Sequence, residues 1–146
     1  MLKQLITQES VWLDCECADK RSVLELIAQK SSQIIHLSHY HILEGLNARE
    51  ALQSTATARG VAIPHCVTPD YNSIMTGFVR LKNPIDFKSA DMKPCDLFFF
   101  IIASSDAGTD YLRLLARAAR YLRQEDICTA LRQAQTVDEV LTIFSA

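Results

Sequence analysis

The sequence predicts a mixed α/β domain with helices on both faces of a small sheet. Three observations carry this expectation. Strand-like and helix-like segments alternate along the chain. The run Asp96-Leu-Phe-Phe-Phe-Ile-Ile-Ala103 is almost continuously apolar, as a central strand covered on both faces requires. With 146 residues, 49% of them hydrophobic, the chain is long enough to bury one core, so residues 1–146 are read as a single domain.

Taken in order, Ser10-Val-Trp-Leu-Asp-Cys15 reads as a short strand. Asp19 is placed to cap a helix, because its carboxylate can accept from the unpaired N–H groups of a first turn. Val23, Leu24, Leu26, Ile27 and Ala28 then follow a helical period. Ser38 marks a second start, with Ile42, Leu43 and Leu46 on one face of a helix from His39 to about Arg49. Asn47 weakens its end. The small and polar stretch Ala51 to Gly60 reads as a surface loop. Val61-Ala-Ile-Pro-His65 is a short strand ended by proline, which has no N–H to extend a ladder. Ile74 to Leu81 alternates as a strand does, and Asp96–Ala103 follows. Ser104 to Gly108 makes a turn, and Thr109 or Asp110 can cap a long helix to about Arg123. Shorter helices are expected near Asp126–Gln133 and Val137–Phe144, the latter opened by Thr136.

Composition removes several classes of function. Fifteen basic against seventeen acidic residues give a net charge of −2, so no overall positive field draws the chain to nucleic acid. The longest purely apolar run, Leu97 to Ala103, is seven residues, against the roughly 20 that span a bilayer, so no direct membrane insertion is expected. The stretch Met1–Ser10 lacks the apolar core of a signal peptide and carries Glu9, which predicts a cytoplasmic protein. Five cysteines, an odd number, cannot all close into disulfides. Cys15-Glu16-Cys17 is one residue too short for a C-x-x-C site. The thiols are read as structural.

Four stretches hold chemistry-bearing residues. His36, His39 and His41 invite a metal, but His39 and His41 lie two apart on a helix and point to different sides, with only Glu44 beside them. A solvated helix start is the better reading, and no metal is expected. Arg113, Arg117 and Arg120 recur at i, i+4 and i+7, followed by Arg123. Without interleaved aromatics this is a solvated face opposite Leu112, Leu115, Ala119 and Leu122, not a nucleic-acid stripe. His65 and Cys66 are adjacent in a strand and so face opposite ways, the wrong geometry for nucleophile and base. The fourth stretch, Arg49 to His65, places a rigidly held histidine after Pro64, behind a loop rich in hydroxyls and amides, with Arg49 as a fixed cation. Those are the parts needed to hold an anion against an imidazole.

This fourth stretch resembles the signature of type-2 enzyme IIA domains of the bacterial phosphoenolpyruvate-dependent phosphotransferase system. That is the fructose–mannitol class, which includes the nitrogen-regulatory branch. The family pattern is approximately R-E-x-x-x-S-T-G-I-G-x-G-I-A-I-P-H. The chain matches it at nine positions: Arg49, Glu50, Ser54, Thr55, Gly60, Ala62, Ile63, Pro64 and His65. The resemblance extends over essentially the whole chain, through Asn83–Phe87, the Asp96–Ala103 strand and the Leu112-x-x-Leu-Ala116-x-x-Ala helix. In length it looks most like the stand-alone nitrogen-type regulator.

The resemblance implies a three-layer fold, a mixed sheet between two layers of helices, with His65 on a shallow surface depression. It implies that His65 accepts a phosphoryl group from the phosphohistidine of a small HPr-like carrier protein. His65 then passes it to an enzyme IIB or holds it as a mark read by a regulatory target. Arg49 would neutralise phosphate oxygens and the Thr55 hydroxyl would donate to one, with no cofactor and no metal. Two departures stand out. Ala56-Thr57-Ala58 replaces the family's Gly-Ile-Gly, which predicts a reshaped loop. Tyr111 stands where many members place a second histidine; a phenol donates a hydrogen bond but cannot be cationic or shuttle protons near neutral pH. The alternative expectation is a degenerate protein-binding module that keeps the fold but transfers little phosphate.

Overall fold

A strand buried on both faces must alternate its side chains between two separate cores, and the apolar run around Phe99 does so. The computed structural model describes residues 6–145; Met1–Leu5, half of the stretch read above for a signal peptide, lie outside the described residues. A short 3-10 turn, Gln8–Ser10, leads into β1 (Val11–Cys15). There follow α1 (Lys20–Ile35), α2 (His39–Leu52), β2 (Val61–Ala62), β3 (His65–Thr68) and β4 (Ile74–Ile85). Then come β5 (Cys95–Ser104), α3 (Gly108–Tyr121), α4 (Glu125–Gln133) and α5 (Val137–Phe144). The sheet order is β1-β4-β5-β2, with β3 on β5 beyond β2. β4 runs antiparallel to β5, and the other pairings are parallel, so the sheet is mixed.

From β5, Leu97, Phe99, Ile101 and Ala103 enter the core under α3, α4 and α5, beside Leu114, Ala118, Leu131 and Phe144. Phe98, Phe100 and Ile102 enter the opposite core under α1 and α2, beside Val23, Ile27, Ile42 and Leu46. Each of these Leu, Ile and Phe side chains contributes about 1.5–3 kcal/mol by leaving water, which is why this strand fixes the centre of the domain. The three layers and mixed sheet are those expected. Two caps also stand as read: Asp19 accepts from the Ser22 N–H at 2.9 Å, and Thr136 from the Glu139 N–H at 3.1 Å. Among the described residues no helix is long and apolar enough to cross a membrane.

Several boundaries differ, each for a local reason. α2 continues through Asn47 and Arg49 to Leu52, because Glu50 turns inward and Arg49 Nη1 donates to the Gln53 carbonyl at 2.7 Å. Ser38 takes the N-cap position without a side-chain bond. β4 runs on past Leu81 to Ile85, shifting register after Arg80 to pair Ile85 with Cys95. α3 is opened by neither Thr109 nor Asp110. Ala107 is already helical, its N–H bonded to the Ser104 carbonyl at 3.0 Å, so the turn winds directly into the helix. Leu112, assigned above to the packed side, is 61% exposed; Leu114 and Ala118 hold that side, and α3 ends at Tyr121. The strand expected over Val61–His65 is broken by Ile63-Pro64. The Pro64 carbonyl still accepts from Ile101 N at 3.0 Å, so the edge restarts in register at His65, which opens a strand rather than ending one.

Candidate functional site

Pro64 is what sets His65 in place. A residue without an N–H interrupts the edge, and pairing resumes with His65 opposite Ile101 and Cys66 opposite Ile102. Strand alternation then sends the two side chains to opposite sides. Cys66 packs among the α1–α2 core, and the His65 ring lies 6.0 Å from the ring of Tyr111 on α3. His65 is 9% exposed. Its Nδ1 is 2.7 Å from the Ile63 carbonyl oxygen, which can only accept, so Nδ1 carries the hydrogen and Nε2 keeps its lone pair. Burial, the largest influence, pushes the imidazole below its ordinary range, and the Arg49 charge adds to this. The bond to Ile63 and the Glu50 carboxylate pull the other way. The ring is therefore a neutral imidazole at neutral pH.

The loop ahead of His65 is held from behind by Glu50. This carboxylate, with its side chain 4% exposed, receives Lys20 Nζ at 2.8 Å, the Thr55 N–H at 3.1 Å and the Thr55 hydroxyl. Thr55 in turn accepts from Ile63 N at 3.1 Å, and Ile63 is the residue that orients His65. The Ser54 hydroxyl donates to the Phe87 carbonyl at 2.6 Å. The Thr55 hydroxyl donates to Glu50, whereas the family resemblance predicts that it donates to a phosphate oxygen. Burial of Tyr111 pushes its phenol up to about 12, so it remains a protonated donor.

The loop at Ala56-Thr57-Ala58 closes without glycine at these three positions. None of the three is left-handed; the left-handed residues of the loop are Arg59, at φ 55°, and Gly60, at φ 85°. Ala56 forms a bridge with Ala62, and Thr57 N donates to the Val61 carbonyl at 2.8 Å, closing the loop in conformations alanine adopts freely.

The other sequence candidates fall elsewhere. His36 is the left-handed C-cap of α1, and His41 pairs with Asp70 at 3.0 Å. Among the described residues no group of three or more His, Cys, Asp or Glu is arranged to hold a metal. Arg113, Arg117, Arg120 and Arg123 lie on the exposed side of α3 and beyond its end. Burial pushes the Cys66 thiol up to about 12. Glu50 and Lys20 have no role that the sequence predicts. One signal was readable: an acidic residue in the last turn of a helix opposes the macrodipole and needs a specific partner.

Residues 4–146 match the family described as "Phosphoenolpyruvate-dependent sugar phosphotransferase system, EIIA 2". The "Nitrogen regulatory protein" of Bradyrhizobium diazoefficiens is 35% identical over 144 residues, covering 99% of this chain and 94% of that one. The crystal structure of nitrogen regulatory protein IIA-Ntr from Neisseria meningitidis superposes with a TM-score of 0.93, at 29% identity and 97% coverage of both chains. The mannitol enzyme IIA of Escherichia coli, solved in complex with phosphorylated enzyme IIB, shares the fold at a TM-score of 0.80. Its identity is 17%, with 97% of this chain and 99% of that one covered.

Proposed function

The chain belongs to the type-2 enzyme IIA family of the phosphoenolpyruvate-dependent phosphotransferase system, and on that premise we propose that it is a phosphohistidine carrier of nitrogen-type regulation. The observation that carries the reading is the neutral His65 imidazole, with Nδ1 tied to the Ile63 carbonyl and Nε2 left as a nucleophile. An HPr-like protein is the donor, and an enzyme IIB or a regulatory target is the receiver. We read residues 1–146 as one such domain, acting in the cytoplasm.

In the transfer, the Nε2 lone pair attacks the phosphorus of the donor's phosphohistidine. The donor's P–N bond breaks as the new one forms, and its electron pair returns to the donor imidazole. Such a step asks mainly for alignment and charge stabilisation. Alignment comes from the relay Glu50–Thr55–Ile63, which fixes the ring. Charge stabilisation comes from Arg49: one N–H is used on Gln53, and the rest of its fork serves phosphate oxygens. The Tyr111 hydroxyl supplies one further neutral donor. A phosphoryl group adds roughly −1.5 to −2 charges, large against a net charge of −2, so the surface around His65 becomes locally more negative.

The binding-module alternative loses one support, since residues 56–58 need no left-handed backbone. Tyr111 remains its support. Intact-protein mass after incubation with phosphoenolpyruvate, enzyme I and an HPr-type carrier decides between them. One acid-labile phosphoryl group, absent from His65→Ala, is expected. No added mass on the folded protein with several carriers would overturn the carrier reading.

A further inference from the structure

A cavity among the described residues lies away from His65. It has a volume of about 620 Å³ and opens between the 57–60 turn, the start of β5 and the junction of α3 with α4. That volume lies in the range of small-molecule sites. Its lining carries four cations, Arg59, Lys93, Arg123 and Arg132, against two carboxylates, Asp96 and Glu125.

The charges are not evenly matched. Asp96 is held by Arg132 through Nε at 3.0 Å and Nη2 at 2.8 Å. Glu125 lies 3.9 Å from Arg59 Nη1, with both side chains more than half exposed. Neither Lys93 nor Arg123 has an ion-pair partner within 4.0 Å among the described residues. The nearby Asp91 does not line the cavity; it accepts from the Ser89 hydroxyl at 2.6 Å and from the Arg59 and Lys93 N–H groups at 3.0 Å.

The wall is also built rather than incidental. Arg132 Nη2 donates to the Arg59 carbonyl at 2.9 Å, and a Cβ on Gly60 would come within 2.6 Å of it. Gly60 holds a left-handed φ of 85°, the backbone that favours glycine at this turn. Leu122 and Cys128, both buried, supply an apolar floor.

We infer that this cavity is a second binding site, for a small phosphate-bearing metabolite, with Lys93 and Arg123 holding the phosphate and the apolar floor taking its carbon part. Arg123, with no ion pair among the described residues, and Lys93, whose charge Asp91 feels from beyond ion-pair distance, suit a dianion, and planar guanidinium forks match phosphate oxygens. The site is independent of His65 and stands whether or not the phosphocarrier reading does.

The test is a two-dimensional proton–nitrogen NMR titration of the full chain with sodium pyrophosphate at fixed ionic strength. Saturable shifts are expected at the amides of Arg59, Gly60, Lys93 and Arg123. Lys93→Gln and Arg123→Gln should each weaken the affinity about tenfold, because each removes one charge-assisted contact. His65→Ala should bind pyrophosphate as the wild type does. The inference is overturned if no saturable shift occurs at these amides. It is equally overturned if the shifts centre on Arg49 and His65, or if both glutamine variants fold and bind unchanged.

Discussion

His65 and Cys66 are consecutive, both buried, both titratable, and they face opposite sides of one edge strand. On the Cys66 side α2 approaches so closely that a Cβ on Gly45 would sit 3.1 Å from the Cys66 Cβ and 3.3 Å from its Sγ. On the His65 side the neighbours are a carbonyl, a guanidinium, and a phenol on α3. Burial moves both groups toward their neutral forms. For a thiol the neutral form is the unreactive one, since the thiolate is the nucleophile. For an imidazole the neutral form is the nucleophile. The same desolvation therefore silences Cys66 and arms His65, and the difference lies in the sign of the charge each group would carry.

That contrast can be broken from either side. The largest effect is expected from Arg49→Ala. Removing the cation beside His65 should slow phosphorylation by the HPr-type donor by about 10²-fold, the usual cost of losing one stabiliser of developing charge. Rapid-quench rates of phosphoryl incorporation check this, and a rate within threefold of wild type would remove Arg49 from the site. Next comes Glu50→Ala, which strands Lys20 and the Thr55 donors in a buried place. It should destabilise the fold by about 2 kcal/mol in urea denaturation and slow transfer through the loosened Ile63 carbonyl. Stability lost with transfer intact would make Glu50 purely structural.

Cys66→Ala should cost about 1 kcal/mol of stability for the small cavity it leaves and leave phosphorylation unchanged. A lost phosphoryl group in a folded C66A protein would contradict the division between the two sides. The smallest effect is in pH. The folded-state value of His65 is depressed, so the unfolded chain takes up a proton below about 6.5 that the folded chain resists. The stability this group contributes is present above that pH and is lost as pH falls through the depressed folded value. Comparing urea midpoints at pH 7.5 and 5.5, wild type should lose more than His65→Gln, whose amide does not titrate. Equal losses would place the imidazole's titration at its ordinary value.

Most of the residues proposed for the site lie close together in the sequence. Arg49, Thr55, Pro64 and His65 are close in sequence, and a proline before a histidine constrains the backbone whatever the surroundings. Asp19 and Thr136 were legible for the same reason, since a cap acts on a residue three positions away. The alternation of Leu97 to Ala103 between two cores follows from the pleat alone. The sequence does not place Leu112 or the start of α3, because a helix face and an entry angle depend on where the sheet lies beneath them, which periodicity leaves open.

Local chemistry, then, determined the elements, the central strand and the placing of His65 after Pro64, because backbone rules and side-chain periods act over a few residues. The tertiary structure alone decided that the Thr55 hydroxyl serves Glu50, that Lys20 completes that pair, and that Nε2 is the free nitrogen of His65. It also brought Lys93, Arg123 and Arg132 to one opening from positions up to 39 apart in sequence. Hydrogen bonds and charge pairs between distant segments exist only once the two cores have closed on the sheet, and no local pattern encodes their partners.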